Sequence, residues 1–445
     1  MLEKLHAKVG DFWWYSAMIF LACRLGDGIQ AFIGLWLVPK YVGTQELGAV
    51  MPLQSLATLF AAPLAILATV FSKYVNTYAT RGEMGKVKSF IRDIITTACL
   101  IFILCIAAAQ IILPHFYERL RITNGLLTIL ILLAGFTTNL SQLFTNALQG
   151  LKKFKTMSII TLIGAPIRLI TLLIAMPIRA LSGYILGQTT PPAASSFIAF
   201  LTLRKDFKSV SPDPTWRRDL PSMLRYAIPL TVSTISGAIC AALFNTLIRQ
   251  RLPEVESAAY YMLTRLAEIG SYLSLSLLTV LFPLAAESHE QGHENRRVLH
   301  HAVLGSIAFS IILALAFGLC GRPLFGLVSI WQPYQNYAYL LIPTTINSGL
   351  VGAIGTITIY EIACRRFAAT WFALIENIAF VVVLACFMGC EFFRGTFPDS
   401  VVDWMASLHF NNLTTIIYFS FANAIFQLIV LALISRRGEK KVIRT

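Results

Sequence analysis

Residues 94–113 read Ile94-Ile95-Thr96-Thr97-Ala98-Cys99-Leu100-Ile101-Phe102-Ile103-Leu104-Cys105-Ile106-Ala107-Ala108-Ala109-Gln110-Ile111-Ile112-Leu113, without a single charge. A hydrocarbon core about 30 Å thick is crossed by a helix of roughly 20 residues. Only a helix satisfies its own backbone hydrogen bonds there, so this stretch reads as a membrane span. Similar apolar runs lie at 13–38, 47–72, 125–146, 157–176, 180–203, 223–248, 258–284, 301–320, 337–360, 367–390 and 410–434. Only Pro177 and Arg179 divide the fifth run from the sixth. The expected fold is an all-α polytopic membrane protein of about 12 transmembrane helices in two six-helix lobes with a central cavity.

Composition agrees, since the 445 residues are 56% hydrophobic and only 13% charged, outside the range of water-soluble domains. The net charge of +14 does not suggest nucleic acid, because the basic residues cluster between apolar runs and not along an exposed helix. The eight cysteines, Cys23, Cys99, Cys105, Cys240, Cys320, Cys364, Cys386 and Cys390, fall in or beside apolar runs. They read as small core residues, with neither disulfide nor metal-site spacing. Met1 to Gly10 is polar and mildly basic, and the next run carries charges and lacks a small-residue cleavage site. A retained first helix is expected, not a removed signal.

Numbering the runs from a cytoplasmic N-terminus makes the Lys and Arg distribution a test of orientation. Of the 36 basic residues, 25 fall in segments expected inside, such as Lys73 to Arg92, Lys152 to Lys155, Arg204 to Arg225 and Arg436 to Arg444. Eight, including Lys40, Arg119, Arg179, Arg249 and Arg251, fall in outer loops. Both termini are expected to be cytoplasmic. The polar stretch 204–222, with Ser211-Pro212-Asp213-Pro214, reads as a hinge linker between a first lobe over 1–203 and a second over 223–445 that ends in a basic tail. Shifting the chain by 210 positions overlays Glu46 on Glu256, Thr69 on Thr279, Gly82 on Gly292 and Lys86 on Arg296. Such a parallel repeat places its axis along the membrane normal.

Three arginines, Arg24, Arg168 and Arg265, fall within spans, where each costs about 2.5–3.5 kcal/mol at a helix centre. Arg24 precedes Asp27, and Arg265 precedes Glu268, each acid three residues on and on the same helical face. Either the pairs neutralise themselves, or the arginines line a cavity and hold an anionic head group, which a guanidinium matches bidentately. The acids would then retune them. A second polar set, Asn245, Glu376, Asn377, Asn412, Thr414 and Thr415, suits Na+ or H+ coupling or plain interhelical hydrogen bonding. Tyr360-Glu361 reads as interfacial. Prolines such as Pro52, Pro166, Pro191, Pro192 and Pro343 and glycines Gly349, Gly352 and Gly355 suggest kinks and close packing. His289-Glu290-Gln291-Gly292-His293 matches the zinc-peptidase pattern, but it contains glycine, lies in a polar loop and lacks a third ligand. No phosphate-binding G-x-x-x-x-G-K-[ST] loop occurs, so any transport draws on an ion gradient, substrate flux or a partner. No cofactor and no catalytic residue is expected.

Three stretches carry a resemblance: Tyr41-Val42-Gly43-Thr44-Gln45-Glu46-Leu47-Gly48, Leu148-Gln149-Gly150-Leu151-Lys152-Lys153-Phe154-Lys155 and Leu224-Arg225-Tyr226-Ala227-Ile228-Pro229-Leu230. In this order, on twelve helices, the chain resembles the polysaccharide-transporter (Wzx-like) branch of the MOP superfamily, which also holds the MATE exporters and lipid II flippases. The resemblance implies flipping of a polyprenyl-diphosphate-linked oligosaccharide by alternating access, drawn from membrane lipids. A polysaccharide polymerase and glycosyltransferases are the implied partners of a monomeric protein. It implies diphosphate contacts for Arg24 and Arg265, and a cation site among helices seven, eleven and twelve in which Asn245 replaces the expected acid. The two further C-terminal helices of lipid II flippases have no counterpart, which favours the polysaccharide branch. A MATE-type exporter of organic cations and a lipid II flippase are the alternatives. A membrane glycosyl or prenyl transferase would need acidic clusters on loops; no D-x-D occurs, and the single D-x-x-x-D, Asp399 to Asp403, is not accompanied by a second acidic cluster.

Overall fold

The computed structural model describes residues 25–112, 126–151, 153–271, 296–364, 366–387, 400 and 412–442. Among these the secondary structure is helical, without a strand. Helix α1 is α-helical over 25–32, π-helical over Ile33–Leu37 and α-helical again over Val38–Tyr41. It is followed by α2 (Val50–Thr80), α3 (Met84–Ile112), α4 (Leu126–Gly150), and α5 and α6 inside the stretch Phe154–Asp206. Next come α7 (Leu220–Arg251), α8 (254–271), α9 (Arg296–Leu327), α10 (Leu341–Ala363), α11 (Ala368–Phe387) and α12 (Leu413–Val442). Each apolar run read from the sequence meets a helix among the described residues. Among the described residues, seven helices are long and apolar enough to cross a membrane, and the stretch Phe154–Asp206 is one of them.

That 53-residue stretch is two helices, because its backbone leaves the helical region at Arg179 (φ −145°, ψ 55°) and Ala180 (φ 4°, ψ −98°). A Cβ on Gly183 would strike the Ala175 carbonyl, and one on Gly187 would strike the Leu172 side chain. At the far end Lys153 pairs with Asp206. These contacts are in one antiparallel register, so α5 and α6 form a hairpin with almost no loop. Pro177 and Arg179 do separate two spans.

The chain folds as two compact units, Met1–Ile33 with Leu53–Ala238, and Gly34–Pro52 with Ile239–Thr445. In the first unit α3 turns Leu100, Ile103, Leu104 and Ile111 outward, at the helical spacing of a lipid-facing stripe. Its buried cluster contains Phe71, Phe90, Leu143, Phe144 and Leu148. Lipid tails are as apolar as these side chains, so within the bilayer close packing holds the helices together and the hydrophobic effect does not.

Beyond α6 the chain turns back into a 3-10 helix, Pro214–Asp219, whose N-cap Asp213 accepts from Thr215 N at 2.9 Å. That backbone hydrogen bond, with help from the Thr215 hydroxyl, holds the exposed Asp213 carboxyl below its ordinary range. Trp216 is buried against Phe90, ring centroids 4.9 Å apart. Tyr78 Oη donates to Asp219 Oδ2 at 2.7 Å, and Lys88 Nζ donates to the carbonyls of Phe207 (3.0 Å) and Val210 (2.6 Å). The stretch read as a hinge is thus folded onto α2 and α3.

In the second unit α9 buries a stripe of small residues at every fourth position, Ala302, Ser306, Ser310 and Ala314, while Leu304, Ile312, Leu315 and Leu319 face outward. A Cβ on Gly349 of α10 would collide with the Ser310 side chain, so glycine there permits close helix approach. Two donors hold the π-helical stretch of α1: Tyr261 Oη reaches Gly34 O at 3.1 Å and Trp331 Nε1 reaches Leu35 O at 2.7 Å. A π-helical turn widens the helix and leaves its carbonyls poorly paired, so side-chain donors find acceptors there. Two expectations need correction. Arg249, read as an outer-loop charge, is only 1% exposed, because α7 stays helical to Arg251 and carries that side chain inside the unit. Glu361, read as interfacial, is 2% exposed and accepts from Ser435 Oγ of α12 at 2.6 Å.

Candidate functional site

Arg168 is set in the first unit by the approach of α1 to α5, where a Cβ on Gly26 would lie 3.9 Å from Ala165 Cβ. About one turn further along both helices, Arg168 Nη1 donates to Gln30 Oε1 at 2.8 Å. Its Nε is buried and makes no hydrogen bond. Tyr184 of α6, itself buried, lies within electrostatic reach of the guanidinium and pairs with Gln54 of α2. The guanidinium therefore lies where α1, α5 and α6 meet, and its amide partner satisfies a donor without cancelling the charge. Gln30, Gln54 and Tyr184 were not anticipated; each is one polar residue in an apolar stretch, a weak signal by itself. Asp27 is half-buried on α1. Arg24 lies outside the described residues, as do the histidines at 289 and 293.

Arg265 of α8 contrasts with Arg168. Its Nη1 reaches both oxygens of Glu268, at 2.9 and 2.8 Å, so the three-residue spacing read from the sequence does form an ion pair. The guanidinium also lies 5.2 Å over the Tyr261 ring, and Nη2 meets Met51 Sδ, a weak acceptor, at 3.3 Å. Gly34 makes room for this side chain, since a Cβ there would come within 3.3 Å of Arg265 Cδ. The side chain is only 11% exposed against 33% for Glu268.

Glu268 faces a cavity of about 390 Å³ inside the second unit, walled by α7, α8, α10 and α12. Asn347 Nδ2 donates to Ser420 Oγ at 3.3 Å across it, while Asn347 Oδ1 is buried and makes no hydrogen bond. Thr264 and Ser271 add hydroxyls, and Phe244 and Tyr260 add aromatic walls. Carboxylate, amide and hydroxyl oxygens together suit a cation, not an anion.

The second polar set separates. Glu376, 6% exposed on α11, accepts from Asn423 of α12, and Asn245 is buried on α7. The aromatic series Phe244, Phe380 and Phe419 packs these three helices together. Asn377 is half-buried. Thr414 pairs with Tyr339 at 2.7 Å near the start of α12, roughly 13 Å along the helix axis from Asn423. Asn412 caps that helix by accepting from Thr415 N at 2.9 Å, and Glu256 accepts from Leu413 N at 2.7 Å. Asn423 is the partner the sequence did not single out.

The fold is similar to that of solved membrane transporters. The chain is 13% identical to an inward-facing multidrug resistance MATE family transporter of the MOP superfamily, with 95% of each chain covered and a TM-score of 0.69. It is 12% identical to the Vibrio cholerae MATE transporter VcmN in its bent form, covering 96% of this chain and 98% of that one at a TM-score of 0.63. It is 15% identical to a Pyrococcus furiosus MOP superfamily transporter described as having a binding pocket of reverse polarity, with 99% and 98% covered and a TM-score of 0.60. No curated protein matches by sequence. At these identities the likeness shows the fold, that of the MATE transporters. The model of the family described as polysaccharide biosynthesis protein matches residues 15–289, more than half of the chain, and this protein belongs to that family.

Proposed function

We propose that this protein is a flippase that moves a polyprenyl-diphosphate-linked oligosaccharide across the bacterial cytoplasmic membrane by alternating access, for surface polysaccharide synthesis. The observation that carries the reading is Arg168, a guanidinium inside a membrane helix with a buried, unused Nε donor and a neutral amide as its hydrogen-bond partner. In a bilayer such a group is retained where it serves a ligand or ion path, and its planar fork matches diphosphate oxygens. Arg24 and Arg265 are the further anion-binding candidates, with Asp27 and Glu268 competing for them. Arg265 must give up part of its Glu268 pair before it can take a phosphate. Both termini face the cytoplasm in this reading, and a polymerase and glycosyltransferases supply and consume the cargo of a monomeric carrier.

Coupling to Na+ or H+ belongs to the second unit, at the Glu268 cavity or at the set Asn245, Glu376, Asn377 and Thr414. Glu268→Gln keeps the shape of the cavity and removes its carboxylate. If Glu268 couples the cycle, gradient-driven flipping falls at least tenfold while flipping without a gradient persists; an unchanged gradient response moves coupling to Glu376.

The direct experiment reconstitutes the protein in vesicles with a fluorescent polyprenyl-diphosphate oligosaccharide in one leaflet and follows its appearance in the other. Faster exchange than in protein-free vesicles is the expected result. A MATE-type exporter is the second reading, favoured by the carboxylate and aromatic walls of the 390 Å³ cavity. Uptake of small organic cations with no lipid exchange would establish it and end the first.

A further inference from the structure

We infer that the end of the first unit where α6 stops, the 207–219 segment folds back and α7 begins is a docking surface for anionic phospholipid headgroups of the adjoining leaflet. This inference is independent of the transported cargo.

Five basic side chains, Arg204, Lys205, Lys208, Arg218 and Arg225, are exposed on this short stretch. None of them holds the segment in place. That work is done by the buried Trp216, by Asp219 accepting from Tyr78, and by Lys88 on two carbonyls. Acidic neighbours are engaged elsewhere: Asp206 with Lys153, Asp93 with Arg92 and Arg217, and Asp213 as the cap of the 3-10 helix. Arg218 lies within electrostatic reach of Asp213, so the five charges are balanced only in part on a folded, fixed platform.

The chemistry of the occupant follows from what adjoins them. Phe197 and Leu201 on α6 and Leu224 and Ile228 on α7 are exposed within one to two turns of Arg204 and Arg225. That apolar surface runs on into membrane helices, where acyl chains cover it and a soluble partner cannot follow. A ligand with chains against the stripe and negative phosphate against the guanidinium and ammonium groups is an anionic phospholipid. Clusters of four to eight Lys or Arg beside a span recognise such lipids, each worth about 1 kcal/mol near the surface, and long basic side chains reach the headgroup layer while their stems stay on apolar surface.

The test titrates the full chain, purified in a neutral detergent, with phosphatidylglycerol or phosphatidylcholine and counts bound lipids by native mass spectrometry. Phosphatidylglycerol should bind at least tenfold tighter than phosphatidylcholine. The variant Arg204→Gln, Lys205→Gln, Lys208→Gln, Arg218→Gln and Arg225→Gln should lose that preference by roughly tenfold or more while its phosphatidylcholine binding stays the same. Equal binding of the two lipids by the wild type, or undiminished phosphatidylglycerol binding by the variant, would overturn the inference and leave the surface to an acidic protein partner. Should the variant misfold, the wild type decides: phosphatidylglycerol affinity that falls between about 0.05 and about 0.5 M salt supports a headgroup site, and salt-independent affinity refutes it.

Discussion

Arg168→Gln is expected, under the proposed flippase activity, to abolish most glycan export while leaving the protein as stable as the wild type or slightly more so. Both halves follow from the same geometry. The guanidinium donates to Gln30 at 2.8 Å and keeps a buried Nε donor unused, so in the resting structure its charge is poorly repaid. Removing an arginine from a span relieves an insertion cost of about 2.5–3.5 kcal/mol. Against a diphosphate the same group would make two charged hydrogen bonds of about 1.5–3 kcal/mol each. Their loss corresponds to a hundredfold or more in export, read as surface glycan per molecule of membrane-inserted protein. Arg168→Lys keeps the charge without the fork and should recover only part of the rate. Normal export by Arg168→Gln at normal expression would remove the residue from the substrate path, and a drop in unfolding temperature would recast it as structural.

Trp216→Ala lowers stability by about 3–5 kcal/mol, the range for deleting a large buried aromatic. Trp216 lies in the connecting segment, outside the spans, so the hydrophobic effect that is absent between helices in lipid operates on it in full. It packs edge-on against Phe90 within the cluster that also holds Phe71 and Tyr78. Its Nε1 is buried without a hydrogen bond, so Trp216→Phe should cost little, having removed an unsatisfied donor. The measurement is thermal unfolding of both variants in detergent. A loss below about 0.5 kcal/mol for alanine, the usual range of a surface change, would mean the segment is a loose tether after all.

The spans and the ion pair in α8 were legible because each is written in neighbouring residues. The run 94–113 declares a spanning helix by length and polarity alone, and Arg265 and Glu268 meet because three residues along a helix return to the same face. Even the separation of α5 from α6 was visible, in Pro177 and Arg179 between two apolar runs. The surroundings of Arg168 were not, since Gln30 is 138 residues away and Gln54 and Tyr184 meet across 130. Glu376 was named and its partner Asn423 was not, for the same reason. Arg249 misled because a charge after an apolar run reads as a loop, whereas α7 continues past it into the second unit.

By itself the sequence determined that this chain lives in a bilayer and where its apolar runs and their arginines fall, because hydropathy and helical period act over a single turn or a single span. Tertiary structure alone decided that Arg168 meets a neutral amide while Arg265 is paired with a carboxylate, that the polar set of the second unit splits between two places, and that the linker is docked. Those outcomes depend on how each helix is rotated about its axis and which helix lies against it. Within lipid that is set by the packing of small and large side chains from distant parts of the chain, and not by any local pattern.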